Sequence, residues 1–455
     1  MGIADDLRAL LSSEQVSTNR SVLEQHSRDE SYHTPVLPDV VVYPRSTEDV
    51  VQVVRYASVR GIPVVPFGVG SGLEGHVVPV KRGISLDMMQ MQRILEIRPK
   101  DFLVRVQPGV TRKRLNDQLR RYGLFFSVDP GADASLGGMT ATNASGTTAV
   151  RYGTMKDNVR ALTVVLASGE VIRTGSFAAK SSSGYNLTPL FVGSEGTLGI
   201  FTEITLRLFG IPEATVAGRA EFADIQHCGN AAVALITAGI PITRVELVDA
   251  PFIEAVNAFK QTHYAEVPTL FLEFSGSRES VEADSRMAQE ILSDEGCRDL
   301  QFESDEHARN QLWEARHSSA YAFQHQHPGC GLLSTDVCVP LSELPGAITN
   351  AKRLIDEMKI PGAIVGHVGD GNFHVSVAVD PADADALRRI EQFNEQLVFH
   401  ALRVGGTCTG EHGVGLGKRK YQEAEHGSSI QMMRGIKEFL DPGHILNPGK
   451  LIDEG

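Results

Sequence analysis

Two histidines stand symmetrically about a tight-turn sequence in the segment Ile364 to His374. The pair Asp370-Gly371, with apolar residues on either side, is typical of a two-residue type I′ turn. If it forms that turn, His367 and His374 oppose each other on one face of a hairpin, where both rings can reach one ion. The spacing indicates a metal site; the alternative is two strand histidines that are hydrogen-bonded or partly exposed without metal.

A carboxylate that would complete such a site lies on a glycine-rich loop, where Glu411 and His412 stand between Gly410 and Gly413. Two histidines and a glutamate form a common ligand set for zinc and similar metals, with positions left open for substrate. His412 would then be available as an acid or base near neutral pH. The alternative is a helix-capping acid beside a surface histidine.

Arg316 lies in a helical pattern close to the chain's only tryptophan, Trp313. Because a guanidinium group fits the two oxygens of a carboxylate, we consider Arg316 a candidate clamp for a carboxylate substrate. The alternative is an arginine that takes part in a surface ion pair.

A glycine run from Gly68 to His76 follows a predicted strand at 62–67. It contains a GxGxxG pattern, but a second predicted strand at 83–87 follows it instead of the helix that a dinucleotide fingerprint requires. The backbone N–H groups of such a loop can cradle a pyrophosphate, and a plain β-turn is the alternative. The small residues at 130–146 and a glycine-dense turn at 193–200 would allow close approach to a large, flat ligand.

The composition bounds the class of protein. With 455 residues, 42% of them hydrophobic, the chain has material for two or three domains. The net charge of −13 argues against a nucleic-acid-binding surface. No secretory or transit pattern, no membrane-length apolar run and no CxxC pair is apparent, so we expect a cytoplasmic protein, with peripheral membrane association left open.

The pattern of elements divides the chain into three parts. Residues 1–211 are rich in strands and glycine turns, 212–420 alternate strands with long helices, and 421–455 form a C-terminal segment that returns to the first domain. The first boundary rests on a fall in glycine density after Ile211. The second part is predicted to be α+β with an antiparallel sheet. Long helices are predicted at 277–295, 303–327, 341–358, 382–403 and about 427–440.

In this order, the glycine runs, the hairpin and the Glu411-His412 loop resemble the vanillyl-alcohol oxidase and p-cresol methylhydroxylase flavoproteins that carry an FAD-linked oxidase C-terminal domain. Within that superfamily the chain is similar to the cytochrome-type D-lactate dehydrogenases. The matching motifs are Asp129–Ser135, Arg151–Met155, Ser334–Pro340, Gly366–His374 and Thr407–Gly413. The resemblance covers essentially the whole chain. It implies a two-subdomain FAD-binding domain, an α+β substrate domain and a short helical C-terminal segment.

The resemblance implies a non-covalently bound FAD with its pyrophosphate at Gly68–Gly72. His76 lies beyond the position at which some superfamily members link flavin to a histidine. The cofactor-binding residues that the resemblance implies are Pro66, Gly68, Val69, Gly70, Ser71, Gly72, Pro130, Gly131, Asp133, Ser135, Gly138, Thr142, Asn143, Gly146, Glu195, Gly199, Ile200 and Asn447.

The resemblance also implies a zinc or manganese ion held by His367, His374 and Glu411. Arg316 would bind the substrate carboxylate, Asn372 would lie in the same substrate site, and His412 would act as the base. The α-hydroxyl group would lose its proton while C2 passes a hydride to flavin N5.

The choice of substrate rests on Ser334. Related D-2-hydroxyglutarate dehydrogenases are expected to carry a lysine at this position, two residues before Asp336. Without it, a second carboxylate would be desolvated and unpaired, so D-lactate, oxidised to pyruvate, is the predicted substrate. The alternatives are a D-2-hydroxyglutarate or glycolate dehydrogenase and a non-catalytic flavin subunit of a larger oxidase. The electron acceptor, a cytochrome, a quinone or an electron-transfer flavoprotein, is left open, as is a homodimer.

Overall fold

The computed structural model describes residues 2–380 and 382–453. Its strands, numbered in chain order, are β1 Val16–Ser17, β2 Val40–Val42, β3 Val64–Phe67, β4 Ile84–Asp87, β5 Ile94–Arg98, β6 Leu103–Val106, β7 Leu124–Phe125, β8 Val159–Val165, β9 Val171–Gly175, β10 Ile200–Arg207, β11 Phe209–Gly210, β12 Ala214–Glu221, β13 Ile242–Val248, β14 Thr269–Gly276, β15 Asp299–Glu303, β16 Gly331–Ser334, β17 Val337–Cys338, β18 Gly362–His367 and β19 Asn372–Val379.

The helices are numbered in the same way. They are α1 Ile3–Leu10, α2 Arg20–Gln25, α3 Thr47–Arg60, α4 Arg112–Leu119, α5 Leu136–Thr142, α6 Ala149–Tyr152, α7 Met155–Asn158, α8 Thr188–Phe191, α9 Ile225–Thr237, α10 Ala250–Lys260, α11 Arg278–Asp294, α12 Glu306–His317, α13 Ser319–His325, α14 Leu344–Met358, α15 Ala384–Arg403, α16 Gln422–His426 and α17 Ser429–Leu440. Within the described ranges, no helix has both the length and the apolar character needed to cross a lipid bilayer.

The chain forms two compact units. The first comprises the described residues of Met1–Ser145, Gly153–Ile211 and Glu411–Gly455, and the second comprises Gly146–Tyr152 and Pro212–Gly410. Two of the divisions fall after residues 211 and 410. Beyond the second, Leu416 donates its amide to the carbonyl of Glu74 at 2.7 Å, within the first unit. The three domains predicted from the sequence stay a prediction.

The first unit contains two main sheets. In the four-stranded sheet β1-β2-β4-β3, strand β4 is parallel to both β2 and β3; the five-stranded sheet β5-β6-β10-β8-β9 is antiparallel. Ser46 caps the start of α3, and Gly61, directly after its last residue, has a left-handed conformation. Val53, Ile84 and Leu446 belong to the core beside the first sheet, so the C-terminal segment contributes to that core.

The second unit is built on one large antiparallel sheet with the strand order β15-β12-β14-β13-β18-β19-β16, and β17 also pairs with β19. The predicted α+β architecture with an antiparallel sheet is confirmed. Neighbouring positions in the middle of this sheet belong to β13, β18 and β19. These three strands carry the polar residues of the candidate site.

The predicted helix at 303–327 is two helices, α12 and α13, which meet at Ser318. The hydroxyl group of Ser318 donates to the carbonyl of Glu314 at 2.8 Å. A serine that bonds to the preceding turn in this way competes with the helical backbone pattern. The break therefore has a local cause that the apolar periodicity did not reveal.

Candidate active site

The two histidines lie on neighbouring strands of the second unit, but the turn that joins those strands is not the predicted one. Strand β18 ends at His367, a 3-10 turn covers Val368–Asp370, and Gly371 precedes the first residue of β19, Asn372. His367 therefore opposes Asn372. The predicted type I′ turn, with His367 opposite His374, is wrong.

The longer turn results from packing just after β18. Val368 is fully buried, and a Cβ atom at Gly369 would lie 2.5 Å from Val245 and 2.7 Å from Val150. These two residues therefore pack against β13 and α6 instead of pairing with β19. In this turn only Gly371 has a left-handed φ, of 79°, whereas a type I′ turn requires two such residues.

The two imidazole rings nevertheless share one face of the sheet. Val365 opposes His374, and residues two apart on a strand point to the same face, so His367 is a diagonal neighbour of His374. Their ring centroids are 5.5 Å apart and their planes are inclined at 82°. A shift of register by two residues preserves the face, so the rings remain neighbours.

A buried carboxylate orients His367. The Nδ1 atom of His367 lies 2.8 Å and 3.0 Å from the two carboxylate oxygens of Glu246, which is fully buried on β13. The same carboxylate accepts hydrogen bonds from Arg316, at 3.1 Å from Nε and 2.5 Å from Nη2. Burial alone would raise the pKa of Glu246, but the interactions of its carboxylate with His367 and Arg316 outweigh burial and lower that pKa. Glu246 is therefore ionised.

Arg316 lies on α12 and is only 9% exposed. Its partner Glu246 is buried as well, so the alternative of a surface ion pair is wrong. Trp313 lies one helical turn earlier and packs beneath the guanidinium group of Arg244, whose carbon is 4.8 Å from the indole centroid. Because Glu246 engages Nε and Nη2 of Arg316, its Nη1 is the nitrogen that can still serve a substrate carboxylate.

His374 is oriented in a similar way. Its Nδ1 atom lies 3.1 Å from the carbonyl oxygen of Thr335 and 3.5 Å from a carboxylate oxygen of Asp336. In both histidines Nδ1 therefore carries a proton towards its oxygen partner, and Nε2 is the ring nitrogen that a metal would use. A carbonyl or carboxylate partner on the second ring nitrogen is typical of metal-binding histidines.

Asp336 is fully buried and joins three segments of the second unit. It accepts hydrogen bonds from Asn372 Nδ2 at 2.7 Å, from Thr409 Oγ1 at 2.6 Å and from the amide of Gly410 at 2.8 Å. Asn372 Nδ2 also donates to the carbonyl of Val337 at 2.8 Å. Among the described residues its Oδ1 atom is buried and has no hydrogen-bond partner, so this carbonyl is the part of Asn372 that could receive a ligand hydroxyl.

Glu411 and His412 belong to the first unit. Ser145 Oγ donates to Glu411 at 2.8 Å, and His412 Nδ1 lies 3.9 Å from a carboxylate oxygen of Glu74. The His412 side chain is 10% exposed, and neither residue is helical. The alternative of a helix-capping acid beside a surface histidine is therefore wrong.

The glycine loop after β3 presents its backbone. Pro66 is in the strand itself, Val69 is 41% exposed, and in the described part of the chain the amides of 69–72 donate to no backbone carbonyl. A Cβ atom at Gly68 would lie 2.5 Å from Ser135 Oγ, so the loop and the start of α5 are in close contact. Exposed amide groups without crowding side chains fit a phosphate ligand such as the pyrophosphate of FAD.

The small-residue run at 130–146 contains α5 and the loops on both sides of it. Pro130, Gly131 and Asp133 lie on the loop before this helix, Ser135 caps it through the amide of Gly138, and Thr142 ends it. Asn143 has a left-handed φ of 52° and accepts hydrogen bonds from Thr154 and Lys156, which fix the following loop. Gly146 lies just after that loop, in the second unit.

The remaining predicted flavin residues divide into two kinds. Asn447 Nδ2 donates to the carbonyls of His76 at 3.0 Å and Glu195 at 2.7 Å, so it joins the glycine run 68–76 to the glycine-dense turn at 193–200. Gly199 and Ile200 instead pack within the sheet: Ile200 is 2% exposed, and Gly199 has no room for a Cβ atom beside β8. Their place in the flavin site stays a prediction.

Sequence reasoning missed Glu246 and Glu74. The available signal for Glu246 was an acid between Val245 and Leu247 in an otherwise apolar strand, where a charge is rarely buried without a partner. Glu74 lies in the glycine run from Gly68 to His76, where an acid among glycines gives no signal of burial, and its side chain is buried.

Comparison with known proteins identifies two domains. The family described as FAD linked oxidases, C-terminal domain, matches residues 211–451, and the FAD binding domain family matches residues 38–175. The probable mitochondrial D-lactate dehydrogenase of Danio rerio is 48% identical over 99% of this chain and 92% of its own length. The cytochrome-type D-lactate dehydrogenase of Arabidopsis thaliana is 43% identical over 93% of this chain and 75% of its length.

A third relative is the glycolate oxidase subunit GlcD of Bacillus subtilis, 34% identical over 94% of this chain and 91% of its length. Among solved structures, p-cresol methylhydroxylase with bound substrate has a TM-score of 0.81 at 20% identity, over 98% of this chain and 95% of that chain. A 4-ethylphenol oxidase from Gulosibacter chungangensis has a TM-score of 0.80 at 22% identity, over 98% and 96%. These structures confirm the predicted fold class.

Proposed function

This chain belongs to the FAD-linked oxidases, in the group that contains the D-lactate dehydrogenases, and from that premise we propose that it oxidises a D-2-hydroxy acid, D-lactate, to the 2-oxo acid. The observation that supports this best is the buried cluster on β13, β18 and α12. One carboxylate, Glu246, there orients both His367 and Arg316. One imidazole is thus oriented to bind a metal, and an arginine beside it is oriented to bind a carboxylate. This arrangement suits a small hydroxy acid as the substrate.

The cofactors fit the residues that are present. The glycine loop 68–72, the capped helix α5 and Asn447 would hold FAD, which when bound accepts the two electrons and the hydrogen from C2 of the substrate. His367, His374 and Glu411 would hold zinc or manganese, whose charge lowers the pKa of the α-hydroxyl group. Two neutral imidazoles and a carboxylate are ligands that either metal accepts.

The residues of the chain then have separate tasks. Arg316 binds the substrate carboxylate through the part of its guanidinium group that Glu246 does not use. The Oδ1 atom of Asn372 accepts a hydrogen bond from the substrate. His412 removes the hydroxyl proton, and Glu74 is the carboxylate at its Nδ1 atom.

The size of the substrate is proposed from Ser334, at the end of β16. Its hydroxyl donates to the carbonyl of Thr335 at 3.3 Å, and a serine cannot neutralise a second carboxylate. A monocarboxylate such as D-lactate is therefore favoured over D-2-hydroxyglutarate. Glycolate, the smaller monocarboxylate, is the second candidate, because the chain is similar to the glycolate oxidase subunit of B. subtilis.

The proposal is tested by anaerobic bleaching of the flavin absorbance with a panel of D- and L-2-hydroxy acids. D-lactate should reduce the flavin with the highest second-order rate constant, followed by glycolate, and L-lactate should be a poor substrate. A clear preference for D-2-hydroxyglutarate would refute the monocarboxylate proposal. A flavin that no hydroxy acid bleaches would favour the alternative of a non-catalytic flavin subunit.

The cytoplasmic location, the homodimer and the identity of the electron acceptor stay predictions. The D. rerio and A. thaliana relatives are described as mitochondrial proteins, and the latter as a cytochrome-type enzyme. A cytochrome is accordingly the first acceptor to test, by following reduction of cytochrome c with D-lactate as the donor.

A further inference from the structure

The backbone of the loop that carries Glu411 and His412 is hydrogen-bonded to a buried carboxylate. Glu195, 4% exposed, accepts a hydrogen bond from the amide of Val414 at 2.7 Å on one oxygen. Its other oxygen accepts a hydrogen bond from the amide of Gly415 at 2.9 Å. Two backbone amides on one ionised carboxylate form strong, charge-assisted bonds that fix the loop in direction as well as position.

The backbone of Glu195 is itself fixed from outside this loop. Its φ is 53°, in the left-handed region that residues other than glycine rarely adopt. Its amide donates to the carbonyl of Ala141 at 2.8 Å, and its carbonyl accepts Asn447 Nδ2 at 2.7 Å. The carboxylate therefore projects from a rigid platform, and the residue adopts an uncommon conformation in doing so.

A histidine lies opposite the carboxylate of Glu195. His76 is 6% exposed, and its Nε2 atom lies 3.6 Å from the Glu195 carboxylate, an ion pair slightly longer than a hydrogen bond. The loop passes close over this pair, since a Cβ atom at Gly413 would lie 2.7 Å from His76 Nε2 and 2.9 Å from Glu195 Oε1. Only a glycine fits there, next to His412 in the sequence.

The far end of the loop is held by a second acid. The carbonyl of Glu74 accepts the amide of Leu416 at 2.7 Å, and its carboxylate lies 3.2 Å from Lys418 Nζ. The same carboxylate lies 3.9 Å from His412 Nδ1. The segment from 412 to 418 is therefore linked to Glu74 near its far end and to Glu195 at its centre.

We propose that Glu195 is a positioning residue for catalysis: through the amides of Val414 and Gly415 it sets the place of Glu411 and His412. The inference rests on the proposed function for the roles of those two residues as metal ligand and base. It assigns to the Glu195 carboxylate a task beyond the flavin-binding role that the sequence predicts, because both of its oxygens accept hydrogen bonds from the loop.

Two variants of the full-length protein, loaded with FAD and metal, weaken the contact between Glu195 and the loop to different degrees. Glu195→Gln keeps one acceptor oxygen, so it loses one of the two hydrogen bonds from backbone amides and the negative charge opposite His76. Glu195→Ala loses both hydrogen bonds and the charge. Hydrogen exchange of the 411–418 peptide, followed by mass spectrometry, should be faster by about tenfold in Glu195→Gln and by more in Glu195→Ala. In Glu195→Gln, kcat for D-lactate should fall more than tenfold with little change in KM, since the substrate anchor is elsewhere.

The matched control is Asp87→Asn. Asp87 is also a buried acid of the first unit with a histidine partner, His26 Nε2 at 3.0 Å, and a backbone amide, that of Met89 at 2.8 Å. This variant should lose thermal stability without faster exchange at 411–418. Unchanged exchange in both Glu195 variants, or equal acceleration in Asp87→Asn, would overturn the inference.

The exchange measurement separates this inference from the proposed function, because it needs no substrate turnover. Faster exchange at 411–418 in a protein whose wild type bleaches with no hydroxy acid would support the loop contact and count against the proposed function. Conversely, a wild type that oxidises D-lactate, together with a Glu195→Gln variant of unchanged kcat, would overturn the positioning role and leave the proposed function intact.

Discussion

The Nδ1 atom of His367 lies 2.8 Å from a carboxylate oxygen of Glu246, which is fully buried. The same carboxylate binds Arg316, so one acid orients a proposed metal ligand and the proposed substrate anchor. A change in this acid should therefore affect metal binding and substrate binding together.

Glu246→Gln should weaken metal binding by about 10- to 100-fold, the usual effect of removing the partner of a metal-bound histidine. A glutamine can donate its amide N–H to Nδ1 of His367, which would move the ring proton to Nε2 and remove the lone pair. Competition with a chelator measures the affinity. Glu273→Gln is the control, because Glu273 also pairs with an arginine of this sheet, Arg244, at 3.1 Å. Equal metal affinity in Glu246→Gln and wild type would contradict the role.

Glu246 also marks the limit of what the sequence could predict. The hairpin, the glycine runs and the Glu411-His412 loop were recognisable because their residues are close in the chain. Glu246 lies 121 residues from His367 and 70 from Arg316, so only the tertiary structure, through the sheet order and the packing of α12, brings them together. The prediction of a type I′ turn after β18 was wrong for a similar reason, since Gly369 packs against Val245 of β13, which is distant in the sequence. Short-range patterns predict local elements, whereas burial by distant strands decides among them.

His374→Ala should lose stoichiometric metal and activity and keep its yellow flavin, since the residues proposed for FAD are elsewhere in the chain. Metal analysis and the absorbance spectrum of the purified variant test this. His327→Ala is the control: its Nδ1 atom also bonds to a carbonyl, that of Phe323 at 2.8 Å. A wild type that is active without metal would refute the metal-assisted mechanism.

Arg316→Lys should lower kcat/KM for D-lactate by roughly 10- to 100-fold, because lysine keeps the charge but cannot bind Glu246 and a substrate carboxylate as a fork. Steady-state kinetics measure the loss. Arg219→Lys is the matched control, as Arg219 is another buried arginine of this unit, paired with Glu221. An Arg316→Lys variant with wild-type kcat/KM would restrict Arg316 to a structural role.

Ser334→Lys should shift specificity toward D-2-hydroxyglutarate, because an ammonium group would neutralise the second carboxylate. The ratio of kcat/KM values for D-2-hydroxyglutarate and D-lactate should rise by about tenfold or more, with Ser334→Ala as the control for loss of the hydroxyl. If the ratio stays constant in the lysine variant, Ser334 does not face the distal end of the substrate.

Asp249 should make folding stability depend on pH. It is buried at the start of α10, where burial raises its pKa from 3.8 to about 7 despite hydrogen bonds from the amides of Ile364 and Phe252. A raised pKa means that the folded chain retains a proton that the unfolded chain loses. This stabilising contribution is complete below pH 3.8 and is lost as the pH rises to about 7, at roughly 1.4 kcal/mol per pH unit. Asp249→Asn, which keeps an acceptor oxygen for the helix cap, should remove that dependence. Urea unfolding of both proteins between pH 4.5 and 8 measures it, and parallel curves for the two proteins would show that Asp249 does not retain a proton in the folded state.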